Sequence, residues 1–220
     1  MALSANPKFL LAATHARTVA HILALVAVIL MLVWVLHYRG GANLRSDADP
    51  ELIFNVHPLV MSLGFIVVIG EAIMAYKTVP TEKKVRKFIH MMLHFVALTL
   101  GIFGIYAAFK YHKESASPDM LSLHSWLGIC TICLFGLQWL FGFFYFWLPR
   151  GPAVNRAMVK PLHASAGLAI FLMAICTAET GLVDKGGLTV SETQLINFTG
   201  LFILLFGVAV SIVVALPKIV

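Results

Sequence analysis

The 220-residue chain is 60% hydrophobic and 12% charged, with a formal net charge of +6 and a mean hydropathy of +0.91; these values exclude a soluble globular domain and point to an integral membrane protein. The positive balance lacks the interleaved basic and aromatic residues of a nucleic-acid surface, so it is first a signal of membrane topology. No Gly-rich loop stands ready to cradle phosphates before a helix, which removes nucleotide-driven transport.

A hydrocarbon crossing takes about 20 residues at ~1.5 Å rise each. Six stretches meet that length: 19–36, 56–76, 88–109, 123–147, 162–180 and 195–216. Their connections are short, so the sequence predicts one all-α transmembrane domain over residues 1–220. The residues ahead of the first span include Pro7, Lys8, His15 and Arg17 without a small-residue cleavage pattern, so a removed signal peptide is not expected. His15, His21 and His37 have no partners at matching depth and are read as structural. Gly40-Gly41 mark a turn, and the second span opens on His57-Pro58, with the proline expected in a first helical turn.

The basic second loop leads into His90 and, four residues on, His94. Ser122 is placed to cap the helix that carries His124. Cys130 and Cys133 lie three apart inside an apolar span and are read as small packing residues. Pro149, Gly151 and Pro152 mark the fourth loop, Pro161 precedes His163 in what is expected to be another first turn, and Gly186-Gly187 mark the last turn. Asn197-Phe198-Thr199 matches a glycosylation pattern but abuts the sixth span, too near the membrane for modification.

Lys and Arg assign the faces. The termini with the second and fourth loops carry Lys8, Arg17, Lys77, Lys83, Lys84, Arg86, Lys87, Arg150, Arg156, Lys160 and Lys218, eleven in all, against Arg39, Arg45, Lys110, Lys113 and Lys185 on the other face. Both termini are therefore expected in the cytosol. The acidic residues Asp47, Asp49, Glu51, Glu114, Asp119, Asp184 and Glu192 reinforce this by falling on the far side.

His57, His90, His124 and His163 each sit near the start of a different consecutive span. Ionisable residues inside membrane spans are rare and mark function. If span direction alternates, His57 faces His124 near one leaflet and His90 faces His163 near the other. An iron porphyrin takes one imidazole on each side, so two facing pairs suggest two six-coordinate b haems inside a bundle of the four central helices, spans two to five. Irons at the levels of His57 and His90 would stand roughly 20 to 25 Å apart at ~1.5 Å per residue. A lone membrane histidine is as often an interhelical hydrogen-bonding residue; four at matching depths favour ligation. His94 competes with His90 as a ligand and is read instead as bonding a haem propionate or a backbone carbonyl.

Beyond the histidines, the chain resembles the cytochrome b-561 proteins from about residue 54 to 181. The resemblance is carried by Phe54-Asn55-Val56-His57-Pro58 with Met61 and Gly64, Gly70-Glu71-Ala72 leading to Tyr76-Lys77, His90-Met91-Met92-Leu93-His94 and Tyr111-His112. It continues through Ser122-Leu123-His124-Ser125-Trp126, Gln138-Trp139 with Gly142, His163 with Gly167, and Thr177-Ala178 with Gly181. It implies two b haems on His57, His124, His90 and His163 and one-electron transfer from cytosolic ascorbate to monodehydroascorbate or a ferric chelate across the membrane. Where that family commonly has Arg after the tyrosine, this chain has Lys77, which keeps the charge without the two-pronged fork.

The residues assigned to cytosolic ascorbate are Lys83, Lys87 and Arg156, supported by Lys77; those assigned to the non-cytosolic acceptor are Lys110, Tyr111 and His112. Two other readings stay open from the residues: a haem-b membrane subunit exchanging electrons with a quinone or partner enzyme, and a proton or metal transporter using the histidines. The partners expected are ascorbate, monodehydroascorbate or a ferric chelate, and the lipid bilayer. A homodimer is an open assembly, and a vacuolar or vesicle membrane is favoured over the plasma membrane.

Overall fold

Helix after helix of apolar residues satisfies its own backbone hydrogen bonds, the condition for crossing hydrocarbon without water. The computed structural model describes residues 7–45, 49–148 and 152–216, and among them the only regular elements are helices. Asp47, Pro149, Arg150, Gly151 and Lys218-Ile219-Val220 lie outside the described residues, as does the side chain of Lys8.

The helices are α1 (Pro7–Val33), α2 (Pro50–Val60), α3 (Val68–Thr78), α4 (Lys83–Glu114), α5 (Leu123–Gly142), α6 (Ala153–Lys185) and α7 (Val190–Ala215). Wider π-helical turns extend α1 over Trp34–Tyr38 and α5 over Phe143–Trp147, and another joins α2 to α3 over Met61–Val67. Among the described residues, six continuous helices are thus long and apolar enough to span a membrane: Leu10–Tyr38, Pro50–Thr78, Lys83–Glu114, Leu123–Trp147, Val154–Lys185 and Val190–Ala215.

Most of these run past the stretches expected from hydropathy, because polar residues at their ends continue the helix beyond the apolar core. That corrects the expectation for the two prolines. Pro58 and Pro161 lie inside α2 and α6 instead of in a first turn, and Pro50 takes the opening position of α2. Pro58 offers no N–H to the turn behind it, and the helix widens into π geometry directly afterwards, from Met61 to Val67.

Asp49, Ser122 and Thr189 cap α2, α5 and α7 through side-chain oxygens that accept from Glu51, Ser125 and Glu192 backbone N–H groups. Gly40, Gly41 and Gly186 hold positive φ angles of 73°, 104° and 58° at the two turns expected there.

The span made of α2 and α3 packs on α4, α5 packs on α6, and α1 and α7 pack on each other beside this central group. Lipid offers no hydrophobic drive for helix association, so close packing must do the work. Ala20, Ala24 and Ala27 are buried along one side of α1, and Gly70 and Gly207 face Phe206 and Ile175 so closely that no Cβ would fit without displacement.

Where α1 ends and α7 begins, the two helices are tied by a buried polar knot. Arg39 Nε lies 2.5 Å from Glu192 Oε1 with both side chains almost fully enclosed, and Trp34 Nε1 donates to the same carboxylate oxygen at 2.8 Å. Leu188 N donates to Glu192 Oε2 at 2.7 Å. Asn55 of α2 joins by donating to the carbonyls of Arg39 and Gly41. Cys130, Cys133 and Cys176 are exposed on the helix surface; the expectation that the first two pack between helices is corrected, because their side of α5 faces away from α4 and α6.

Candidate functional site

Four histidines from four of the spans meet in two pairs. His57 of α2 and His124 of α5 have ring centres 5.8 Å apart with planes at 85°. His90 of α4 and His163 of α6 stand 6.4 Å apart at 68°. Metal–imidazole bonds are about 2 Å long, and a ring centre lies about 1 Å further, so two axial imidazoles on one iron put their centres roughly 6 Å apart. Both pairs have that spacing.

The other ring nitrogens decide which atom faces the gap. His57 Nδ1 donates to the carbonyl of Gly104 at 2.9 Å, His124 Nδ1 to that of Thr177 at 2.8 Å, and His90 Nδ1 to that of Ala72 at 2.8 Å. A carbonyl only accepts, so each of these rings carries its proton on Nδ1 and keeps the Nε2 lone pair for a metal. His163 is held differently: its Nδ1 is buried without a partner, while its ring packs against Phe146 and Phe141. Its backbone carbonyl accepts from Gln138 Nε2 at 2.7 Å.

Glycines make room for the rings. A Cβ on Gly181 would come within 2.6 Å of the His124 ring, and one on Gly142 within 3.2 Å of His163. Trp139 Nε1 donates to the carbonyl of Met91, next to His90, at 3.1 Å. His94 packs its ring 4.4 Å from that of His90, and its Nδ1 is buried without a partner. A bond from that nitrogen to a backbone carbonyl, one of the two roles expected for His94, is therefore absent. A cavity of about 500 Å³ opens around His57 and His124, within the range of cofactor and ligand sites. An iron porphyrin thus fits the residues present, and the donor set is imidazole nitrogen throughout.

Of the residues assigned to ascorbate, Lys83 begins α4 and Lys87 lies one turn on. Lys87 is in electrostatic range of both Lys83 and Arg156. Its ammonium donates to the carbonyl of Phe146, whose ring touches His163, so this cluster adjoins the His90/His163 pair. Lys77 turns elsewhere: its ammonium donates to the carbonyl of Leu216 and its own carbonyl accepts from Arg17 at 2.7 Å. On the opposite side, Tyr111 and His112 line the cavity, and His112 Nδ1 pairs with Asp119 at 2.8 Å. Lys110 instead pairs with Glu114 along α4.

Three residues at these sites were read only as topology charges. Lys185 lines the cavity around His57 and His124 and pairs with Glu51 at 2.7 Å, which also accepts from the Tyr111 hydroxyl at 2.7 Å. Arg86 acts electrostatically on Tyr76, whose ring lies 5.2 Å from that of His90. Hydropathy reads such groups as loop charges; only the helix ends brought together give them a site.

The geometry agrees with what the chain is similar to. A sequence profile described as Eukaryotic cytochrome b561 matches residues 56–189, more than half the chain. A probable ascorbate-specific transmembrane electron transporter 1 of Oryza sativa subsp. japonica is 46% identical over 208 residues, covering 90% of this chain and 88% of that protein. Transmembrane ascorbate ferrireductase 1 of Arabidopsis thaliana is 47% identical over 197 residues, covering 86% and 82%. A transmembrane ascorbate-dependent reductase of Mus musculus is 37% identical over 205 residues, covering 89% and 80%. With this match across the histidine-bearing helices, the chain belongs to the eukaryotic cytochrome b561 family, and haem b is the cofactor that membership implies.

Proposed function

We propose that this membrane oxidoreductase uses two b haems, one held by His57 and His124 and one by His90 and His163, to move electrons singly from cytosolic ascorbate to monodehydroascorbate or a ferric chelate on the other side. The observation that carries the reading is the pair of facing imidazole couples, three of whose rings are fixed by backbone carbonyls with Nε2 free. The family match and the printed names of the relatives support ascorbate as donor. Haem b held by these imidazoles would supply one-electron exchange.

The chain's own residues bind and orient the reactants. Lys83, Lys87 and Arg156 form a cationic patch that gathers the ascorbate monoanion beside the His90/His163 pair. Phe146, between Lys87 and His163, gives that patch an apolar floor. At the other end, Tyr111 and His112 present a hydroxyl and an imidazole at the mouth of the cavity around His57 and His124. The basic loops and both termini share the cytosolic face in this reading, and all 220 residues form one membrane domain.

Sealed proteoliposomes test it. Ascorbate added on the face bearing the Lys83/Lys87 patch is expected to reduce two spectrally distinct b haems and then a ferric chelate enclosed on the opposite face. Purified protein without haem b bands, or haems that ascorbate leaves oxidised, would overturn the reading.

A further inference from the structure

Lys185 and Tyr111, two polar groups that line the cavity around His57 and His124, are already engaged by a carboxylate from the protein itself. Glu51, in the first turn of α2, places one oxygen 2.7 Å from the Lys185 ammonium and with the other accepts a hydrogen bond from the Tyr111 hydroxyl at 2.7 Å. Lys185 also lies over the Phe54 ring at 4.0 Å, and Phe54 packs on the ligand-bearing side against His57, ring centres 6.1 Å apart. Lys185, Phe54 and Tyr111 line the cavity. The Lys185 side chain is only 18% exposed, whereas that of Glu51 is 42% exposed. A cation and a hydroxyl donor are therefore fixed at the cavity, and the anion that satisfies them is the member free to swing into solvent.

We propose that Glu51 is an internal stand-in for the acceptor: a small oxyanion, chelate carboxylate or ascorbyl radical anion, displaces it from Lys185 and Tyr111 and docks against Phe54. The inference rests on the proposed function and adds to it the groups that grip the acceptor and the residue that competes with it. Part-exposed ion pairs are weak, so displacement by an incoming anion is within reach. Between turnovers the carboxylate keeps Lys185 and Tyr111 paired, and it disfavours anions too small to replace both of its contacts.

The test uses the purified, haem-loaded full chain and gallium(III) citrate, a redox-inert probe for metal chelates, titrated calorimetrically. Glu51→Gln is expected to tighten its binding roughly two- to fivefold, the scale of a part-exposed ion pair, and Lys185→Ala to weaken it by a similar factor. Glu51→Asp keeps the charge but falls one methylene short of bridging both partners, so it too is expected to bind tighter than the original chain. Shifts of the same sign in Glu51→Gln and Lys185→Ala, or a Glu51→Asp variant indistinguishable from the original, overturn the proposal, the latter by reducing Glu51 to a distant field. The half-saturating concentration of monodehydroascorbate is measured in parallel. A shift with citrate alone assigns the site to chelates, one with monodehydroascorbate alone assigns it to the ascorbyl radical, and no shift with either overturns the inference. Haem bands and their reduction by ascorbate are recorded on the same samples, so a failure of the proposed function is seen separately from a failure of the gate.

Discussion

At the scale of single residues, the two histidine pairs are separable. Replacing His57 or His124 with Ala is expected to remove one haem spectrum and leave the other, while His90→Ala or His163→Ala does the converse, because each pair sits on its own set of contacts. Low-temperature absorption and electron paramagnetic resonance check this; two replacements within one pair that spare different haems would refute the pairing. Gly181 makes a sharper point. An alanine there would press its Cβ to 2.6 Å from the His124 ring, and that ring is bonded to Thr177 one turn earlier on the same helix. The ring must move and lose the bond that orients it, at about 1–3 kcal/mol for overpacking. Gly181→Ala is thus expected to perturb the haem at His57/His124 alone, as read by the same spectra.

Charge beside the His90/His163 pair gives a kinetic prediction. Lys87 interacts with Lys83 and Arg156, and three like charges held together are favoured when an anion sits among them. Lys83→Ala, Lys87→Ala and Arg156→Ala are each expected to raise the ascorbate concentration for half-maximal haem reduction severalfold and to flatten its salt dependence. Lys77→Ala is expected to do less, since its ammonium is spent on the Leu216 carbonyl at the end of α7. Stopped-flow reduction over a range of ionic strength decides; unchanged saturation in all three variants would move the donor site elsewhere.

At the scale of elements, helix ends matter more than helix middles. The helix ends carry Trp34, Arg39 and Lys185, whose polar contacts join one helix to the next. The Arg39–Glu192 pair is enclosed, with side-chain exposures of 8% and 2%, and Glu192 accepts two further bonds from Trp34 and Leu188. Removing one partner from a buried pair leaves an uncompensated charge and costs about 3–5 kcal/mol. Glu192→Gln is therefore expected to lower the thermal midpoint in detergent by several degrees. Haem absorption should stay intact below it, because the ring bonds of His57, His90 and His124 go to Gly104, Ala72 and Thr177 and not to this knot. A midpoint equal to that of the original chain would mean that water or lipid headgroups already satisfy Arg39.

At the scale of the whole molecule, the sequence by itself determined the all-helical membrane class and the six spans, and span order alone paired His57 with His124 and His90 with His163. These follow from local physics: hydrocarbon thickness sets span length, the cost of burying charge sets where spans end, and alternation of direction sorts the histidines by leaflet. The Cys-x-x-Cys and the two prolines show where that local reading fails. Whether a residue faces lipid or a neighbour depends on helix rotation, and whether a proline opens a helix or interrupts it depends on how far polar turns continue beyond the membrane. Hydropathy reports neither. Only the tertiary structure decided that backbone carbonyls of Gly104, Thr177 and Ala72 orient three of the rings, that Gly181 and Gly142 vacate the space beside His124 and His163, and that Glu51 of α2 meets Lys185 at the end of α6. Each of these contacts joins groups 18 to 134 positions apart or on different helices, and such pairings are fixed by the packing of helix against helix, which no single stretch of sequence contains.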